Sequence, residues 1–229
     1  MKLDQVLAKL RTLANEENRQ GMARFGINIE NALGIKVTTL RQMAKEIGRD
    51  HALALQLWDS AFHEARILAT IIEDPRQVTK AQAESWLKGI NSWDLCDGFA
   101  GNLIDKTSFA YEKAVEWSER EAEFERRAGL AVMAWLPVHD KKAPDETFAA
   151  FFPYIEAASD DERIYVKKAA SWALRNIGKR SLGLNAKAIA VAERIGARGS
   201  KAATWIAKDV LKELTSEKVR ERLAKKAAR

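Results

Sequence analysis

The chain has 229 residues, 47% hydrophobic and 31% charged, enough apolar surface for a substantial core and too much for a disordered chain. Its 38 Lys and Arg outnumber its 32 Asp and Glu, giving +6 and a pI near 9.4, which favours polyanionic partners without proving one. A single cysteine, Cys96, excludes an internal disulfide, and three scattered histidines, His51, His63 and His139, exclude a zinc motif of ordinary spacing.

Met1-Lys2-Leu3-Asp4 opens directly into an amphipathic pattern instead of a signal-peptide apolar core. No apolar run approaches the roughly 20 residues of a membrane span, so a cytoplasmic protein without membrane, metal or cofactor is expected, with a monomer as the default. Ala, Leu, Glu, Lys and Arg dominate and only four prolines interrupt the chain, a bias toward helix. A first helix is expected near 3–15. Between Glu16 and Lys36 the run Gly21-Met-Ala-Arg-Phe-Gly26-Ile-Asn28, followed by Gly34, breaks the pattern and predicts irregular backbone. From Thr38 helices follow near 38–48, 51–58, 63–73, 80–90, 93–104, 108–119, 121–136, 145–157, 160–178, 185–194, 200–214 and 216–227. Two of them start on apparent capping boxes, Thr79-Lys-Ala-Gln82 and Ser159-Asp-Asp-Glu162.

Several helices share a pattern of small and large apolar positions: Glu64-Ala-Arg-Ile-Leu-Ala69, Arg126-Arg-Ala-Gly-Leu-Ala131, Lys167-Lys-Ala-Ala-Ser-Trp172 and Ser200-Lys-Ala-Ala-Thr-Trp205. Units recurring at about 33–47 residues without a Gly/Ser linker are the mark of helical solenoids. The expected fold is all-α, an α-α superhelix of HEAT-like repeats forming one domain over residues 1–229, with a concave basic face able to hold an extended ligand.

Three places along this array carry chemistry. On the helix near 160–178, Tyr165, Lys168, Trp172, Arg175 and Lys179 share one face, opposite Val166, Ala170, Ala173, Leu174 and Ile177. An indole inside a basic stripe suits phosphates and a base or cationic ligand, although Lys and Arg stems packed over an ordinary aromatic explain it too. In Ser92-Trp93-Asp94-Leu95-Cys96-Asp97, Asp94 has a structural role as a first-turn acid. Asp97 lies a turn further in, on the same face as Trp93, and is solvated, paired with a base such as Arg127, or functional. Arg126-Arg127 heads an almost wholly apolar helix, where salt bridging and phosphate binding are both open.

Taken in order, Met22-Ala-Arg24, Leu57-Trp58, His63-Glu64, Trp93-Asp-x-x-Asp97, Arg126-Arg127-Ala128 and Lys167-Lys-Ala-x-x-Trp172-x-Leu-Arg175 resemble the bacterial HEAT-repeat alkylpurine DNA glycosylases, the AlkD family. The resemblance runs from about residue 20 to beyond 175. It implies removal of cationic N3- and N7-alkylpurines from duplex DNA without a cofactor. The family's catalytic Asp, two flanking tryptophans and arginine are matched by Asp97, Trp93, Trp172 and Arg127. Arg126, Lys168, Arg175 and Lys179 are candidate DNA-binding residues.

One segment departs from the family pattern. Active members carry a minor-groove helix after Met-Ala-Arg, where this chain reads Phe25-Gly-Ile-Asn-Ile-Glu-Asn-Ala-Leu-Gly34, poor in helix formers. It is similar there to a subgroup of paralogues that lack the helix and bind DNA weakly. The alternatives to an excising enzyme are therefore such an inactive DNA-binding paralogue and, in a different class, a protein-binding HEAT scaffold.

Overall fold

Helix caps set most element boundaries in this computed structural model, which describes residues 1–228 and contains among them helices and turns but no strand. Two compact units divide the chain, Met1–Phe109 and Ala110–Arg229. No described helix is long and apolar enough to cross a membrane, and no described cluster of His, Cys, Asp and Glu is arranged to hold a metal ion.

The first unit contains α1 (Leu3–Thr12), α2 (Glu16–Arg24), α3 (Val37–Ile47), α4 (His51–Asp59), α5 (His63–Ile72), α6 (Lys80–Lys88) and α7 (Trp93–Gly98). Helix α5 is its centre. Ala65, Leu68 and Ala69 of α5 are fully buried, and the helix packs against α1, α3, α4 and α7. Asp50 and Thr79 cap α4 and α6 by accepting from Leu53 N at 3.0 Å and Gln82 N at 3.1 Å, each satisfying an otherwise orphan donor. Trp58 and Trp86 stack at 4.3 Å, almost parallel, with Phe99 beside them.

The expectation of irregular backbone from Glu16 to Lys36 holds only in its second half. Asn15 caps α2 through Asn18 N at 2.8 Å, and Glu16 pairs with Arg19 and Gln20 one turn on. These first-turn bonds carry the helix through Gly21, although α2 buries none of its residues. It stops at Phe25-Gly26, where Gly26 takes φ 73°, a conformation that suits glycine. The following loop closes at Gly34, φ 78°, where any Cβ would also run into the backbone of Asn15.

The second unit contains α8 (Ala110–Ser118), α9 (Glu123–His139), α10 (Asp145–Ala149), α11 (Phe152–Ala157), α12 (Ile164–Gly178), α13 (Leu182–Ala197), α14 (Lys201–Leu214) and α15 (Glu217–Ala227). The repeated segments fall on α9, α12 and α14, with α12 packed against both others. Asn176 Nδ2 donates to Ala134 O at 2.9 Å between α12 and α9. Between α12 and α14, Ser171 Oγ donates to Asp209 Oδ2 at 2.5 Å. A Cβ at Gly129 would strike the Ser118 backbone, so the small residue inside apolar α9 permits the close approach of α8.

Ser159 is not a helix cap. It is buried in a 3-10 turn, Ala158–Asp160, and its hydroxyl donates to Glu156 O at 2.7 Å. Helix α12 starts later, at Ile164. The reason lies in Asp161, whose carboxylate holds Arg163 N at 3.1 Å and the Arg163 and Arg126 guanidinium groups, so the turn is organised by that acid instead.

Candidate nucleic-acid interface

In the first unit, Trp93 and Asp97 stand one turn apart on α7, both half-buried. The helix is short because its hydrogen-bonding widens at once into a π-helical segment, Phe99–Leu103. Such segments re-aim side chains and recur at functional sites. The Trp93 indole N–H donates to Phe25 O at 3.0 Å, which ties the aromatic ring to the loop after α2. Phe25 itself is 73% exposed, the most exposed large apolar side chain described.

Two acidic residues fix this arrangement. Asp94 accepts from Ser92 Oγ at 2.7 Å and lies 2.8 Å from Nε2 of buried His63. Burial pushes the Asp94 carboxyl up, but bonds from His63, Ser92 and the Leu95 backbone outweigh it and leave the group below its ordinary range. Ionised Asp94 makes Nε2 the donor nitrogen of His63. The neighbouring Glu64, fully buried, accepts from Leu33 N at 2.8 Å, Gly34 N at 2.7 Å and Ile35 N at 3.1 Å. It pins the far end of the loop that starts at Phe25.

In the second unit, the sequence-derived face of α12 is recovered. Val166, Ala170, Ala173, Leu174 and Ile177 are fully buried, while Trp172 is half-buried and Lys168 exposed. Trp135 meets Trp172 edge-on at 5.3 Å and stacks on His139 at 4.9 Å. The rest of the basic stripe is neutralised from α14. Arg175 Nη1 donates to Glu213 Oε2 at 2.5 Å and Nε lies 3.2 Å from Asp209, while Lys179 Nζ reaches Glu213 Oε1 at 2.7 Å. Burial raises the Glu213 carboxyl, yet these two cations lower it below the usual value.

The two arginines of α9 differ. Arg127 is 5% exposed and donates to Tyr165 O at 2.6 Å, at the start of α12. Arg126 bonds the Arg120 carbonyl at 2.7 Å and Asp161 at 3.0 Å. Of the four cations expected to meet phosphate, Lys168 alone stands exposed; Arg126, Arg175 and Lys179 have carboxylate partners within the fold.

Residues 6–214 match the family model described as DNA alkylation repair enzyme. The chain belongs to the DNA alkylation repair enzyme family. A solved structure with TM-score 0.80 and 21% identity, covering 97% of this chain and 96% of its own, represents a family of proteins related to the HEAT-like repeat DNA glycosylases with affinity for branched DNA structures. No curated protein matches the chain. The likeness shows a HEAT-like all-helical fold.

For this DNA alkylation repair family member, sequence reasoning missed the pairs that build the site from a distance. His63-Glu64 was visible only as part of a family pattern, although adjacent residues supply the Asp94 partner and the loop anchor. A buried His-Glu dipeptide at the head of an apolar helix is the signal that points to such a role, since buried charge demands partners.

Proposed function

We propose that this chain is a DNA N-glycosylase that hydrolyses the N-glycosidic bond of cationic N3- or N7-alkylpurines in duplex DNA, with Asp97 as its central carboxylate. The observation that carries the reading is the set Trp93, Asp97, Arg127 and Trp172 within a chain of the DNA alkylation repair family. The chemistry asks for little more. An ordinary glycosidase pairs a general acid with a second carboxylate. An alkylated purine already carries positive charge, so when the C1′–N bond breaks its electron pair neutralises the departing base and no acid is needed. Asp97 stabilises the positive charge that develops on the deoxyribose and orients the water whose oxygen bonds to C1′ as its proton passes to the Asp97 carboxylate and on to solvent. Trp93 and Trp172 contact the sugar and the cationic base, each contact worth about 0.5–2 kcal/mol. Exposed Lys168 contacts phosphate, and buried Arg127 reaches it by exchanging the Tyr165 carbonyl for a phosphate oxygen. Arg126, Arg175 and Lys179 join them by exchanging a carboxylate partner for phosphate.

The test is release of free base from duplex DNA carrying 7-methylguanine at enzyme excess, wild type against Asp97→Asn. Release by the wild type, reduced at least about a hundredfold in the variant, is the expected result for loss of an electrostatic catalyst. No release by the wild type overturns the enzymatic reading, and equal release by both removes Asp97 from its role.

A second reading, recognition of DNA structure without excision, is favoured by the loop after α2. It is tied to Trp93 through Phe25 and to Glu64 through residues 33–35, leaving no minor-groove helix beyond Arg24. The affinity of the similar family for branched DNA supports it. Tighter binding of a three-way junction than of a duplex of equal length, together with no base release, is its signature.

A further inference from the structure

The second unit holds a concentration of cations that the residues discussed so far do not explain. Loop residue Lys141, Lys179 and Arg180 at the end of α12, and Arg222, Lys225 and Lys226 of α15 line a cleft of about 640 Å³. No Asp or Glu lines it. It shares Lys141, Arg180 and Lys226 with an adjoining depression of about 320 Å³ that Asp145 also lines, so the surface without a lining acid is that of the larger cleft.

The cations fall into two sets by what they bond. Arg180 is structural: its guanidinium donates to the carbonyls of Pro137 at 3.0 Å and Asp140 at 2.8 Å, and stacks over Phe148 at 4.3 Å. Arg222 donates to Lys179 O at 3.0 Å and Lys226 to Arg180 O at 2.6 Å, which seats α15 on the end of α12. A helix C-terminus welcomes such donors, but carbonyls do not cancel the charge of Arg222 and Lys226, whereas Arg180 also has the Asp145 carboxylate 3.4 Å from its Nε. Lys141 and Lys225 are exposed and helix capping does not require them. Lys179 bonds the Glu213 carboxylate. The cleft therefore keeps a surplus of positive charge at the expense of mutual repulsion among its cations, a cost that a polyanion removes.

The cleft also has a direction. Asn176 and Lys179, both in its lining, follow Trp172 by four and seven residues on α12, positions that share a helix face. A nucleic-acid strand laid against Trp172 would be led along that face into the cleft. Its charged residues are all Lys or Arg, with no aromatic among the lining residues, which suits sugar-phosphate contacts and not base readout.

We propose that this cleft is a sequence-independent phosphate track, which takes the nucleic-acid backbone beyond the segment held at Trp172. It rests on the DNA-binding part of the proposed function and is independent of excision. The experiment measures equilibrium binding of an undamaged 30-base-pair duplex by the full chain over a range of salt, for wild type, Lys141→Gln/Lys225→Gln, and Lys187→Gln on α13 as control. The substituted side chains are exposed, and thermal unfolding verifies that the double variant keeps wild-type stability. For two lost phosphate contacts the slope of log K against log salt becomes shallower by about 2, while Lys187→Gln keeps the wild-type slope. An unchanged slope in the double variant overturns the track and leaves the glycosylase reading standing. A reduced slope with no base release by the wild type keeps the track and sinks excision. Wild-type binding of polyglutamate as tight as that of DNA overturns the track in favour of an acidic-protein surface.

Discussion

Asp94 and Asp97 lie within one short helix, and the partners of Asp94 mark it as a structural acid. Asp94 is enclosed by His63, Ser92 and its own helix N-terminus, and is held in its charged form below the ordinary carboxylate range. Because its pKa is depressed on folding, it contributes stability above its unfolded pKa that is lost as pH falls through the carboxylate range toward the folded value. Asp94→Asn is thus expected to cost about 1–3 kcal/mol at pH 7, and the difference from wild type to shrink toward pH 3, both read from urea unfolding. A constant difference across that range sinks the account. The sequence made Asp94 legible only as a first-turn acid; His63, 31 residues away, lies outside what a helical wheel relates. Asp97 was legible through its spacing from Trp93, and that relation survives because it is local.

At the scale of elements, legibility again followed locality. The apolar and polar faces of α12 were readable because side-chain positions on one helix follow from a 3.6-residue period, whereas the acids of α14 that pair with Arg175 and Lys179 come 34–38 residues later. Helix α2 went unread because its glycine outweighed the Asn15 cap in the pattern. The loop after it was readable as irregular, but not its anchor. The Glu64 carboxylate accepts three charge-assisted bonds from backbone N–H groups, stronger than neutral ones. Glu64→Gln leaves one oxygen to accept and turns an NH2 toward Leu33 N or Gly34 N. The expected cost is about 2–4 kcal/mol, with hydrogen exchange accelerated first at residues 33–35. Exchange that rises uniformly over the unit argues for general core damage instead of a released loop.

For the whole molecule, the net charge of +6 conceals an uneven distribution. Residues 1–109 carry 14 Lys and Arg against 14 Asp and Glu, while residues 110–229 carry 24 against 18. The surplus belongs entirely to the second unit. Within it, intramolecular acids already occupy Arg126, Arg163, Arg175, Arg194 and Arg198, so total charge overstates the cations ready to meet phosphate. Counterion release depends on local neutralisation of phosphates, about 0.9 in log-log slope for each contact, and not on the distant field, which salt screens within roughly 10 Å at 0.1 M. Removing one charge from either unit changes the net charge equally. Lys168→Ala is expected to make the salt slope of duplex binding shallower by about 0.9, and Lys45→Ala, exposed on α3 of the neutral unit, to leave it unchanged. Equal effects of the two substitutions would mean that overall charge, and not a set of placed contacts, governs affinity. A reduced slope confined to Lys168→Ala ties DNA binding to the face of α12 that presents Trp172.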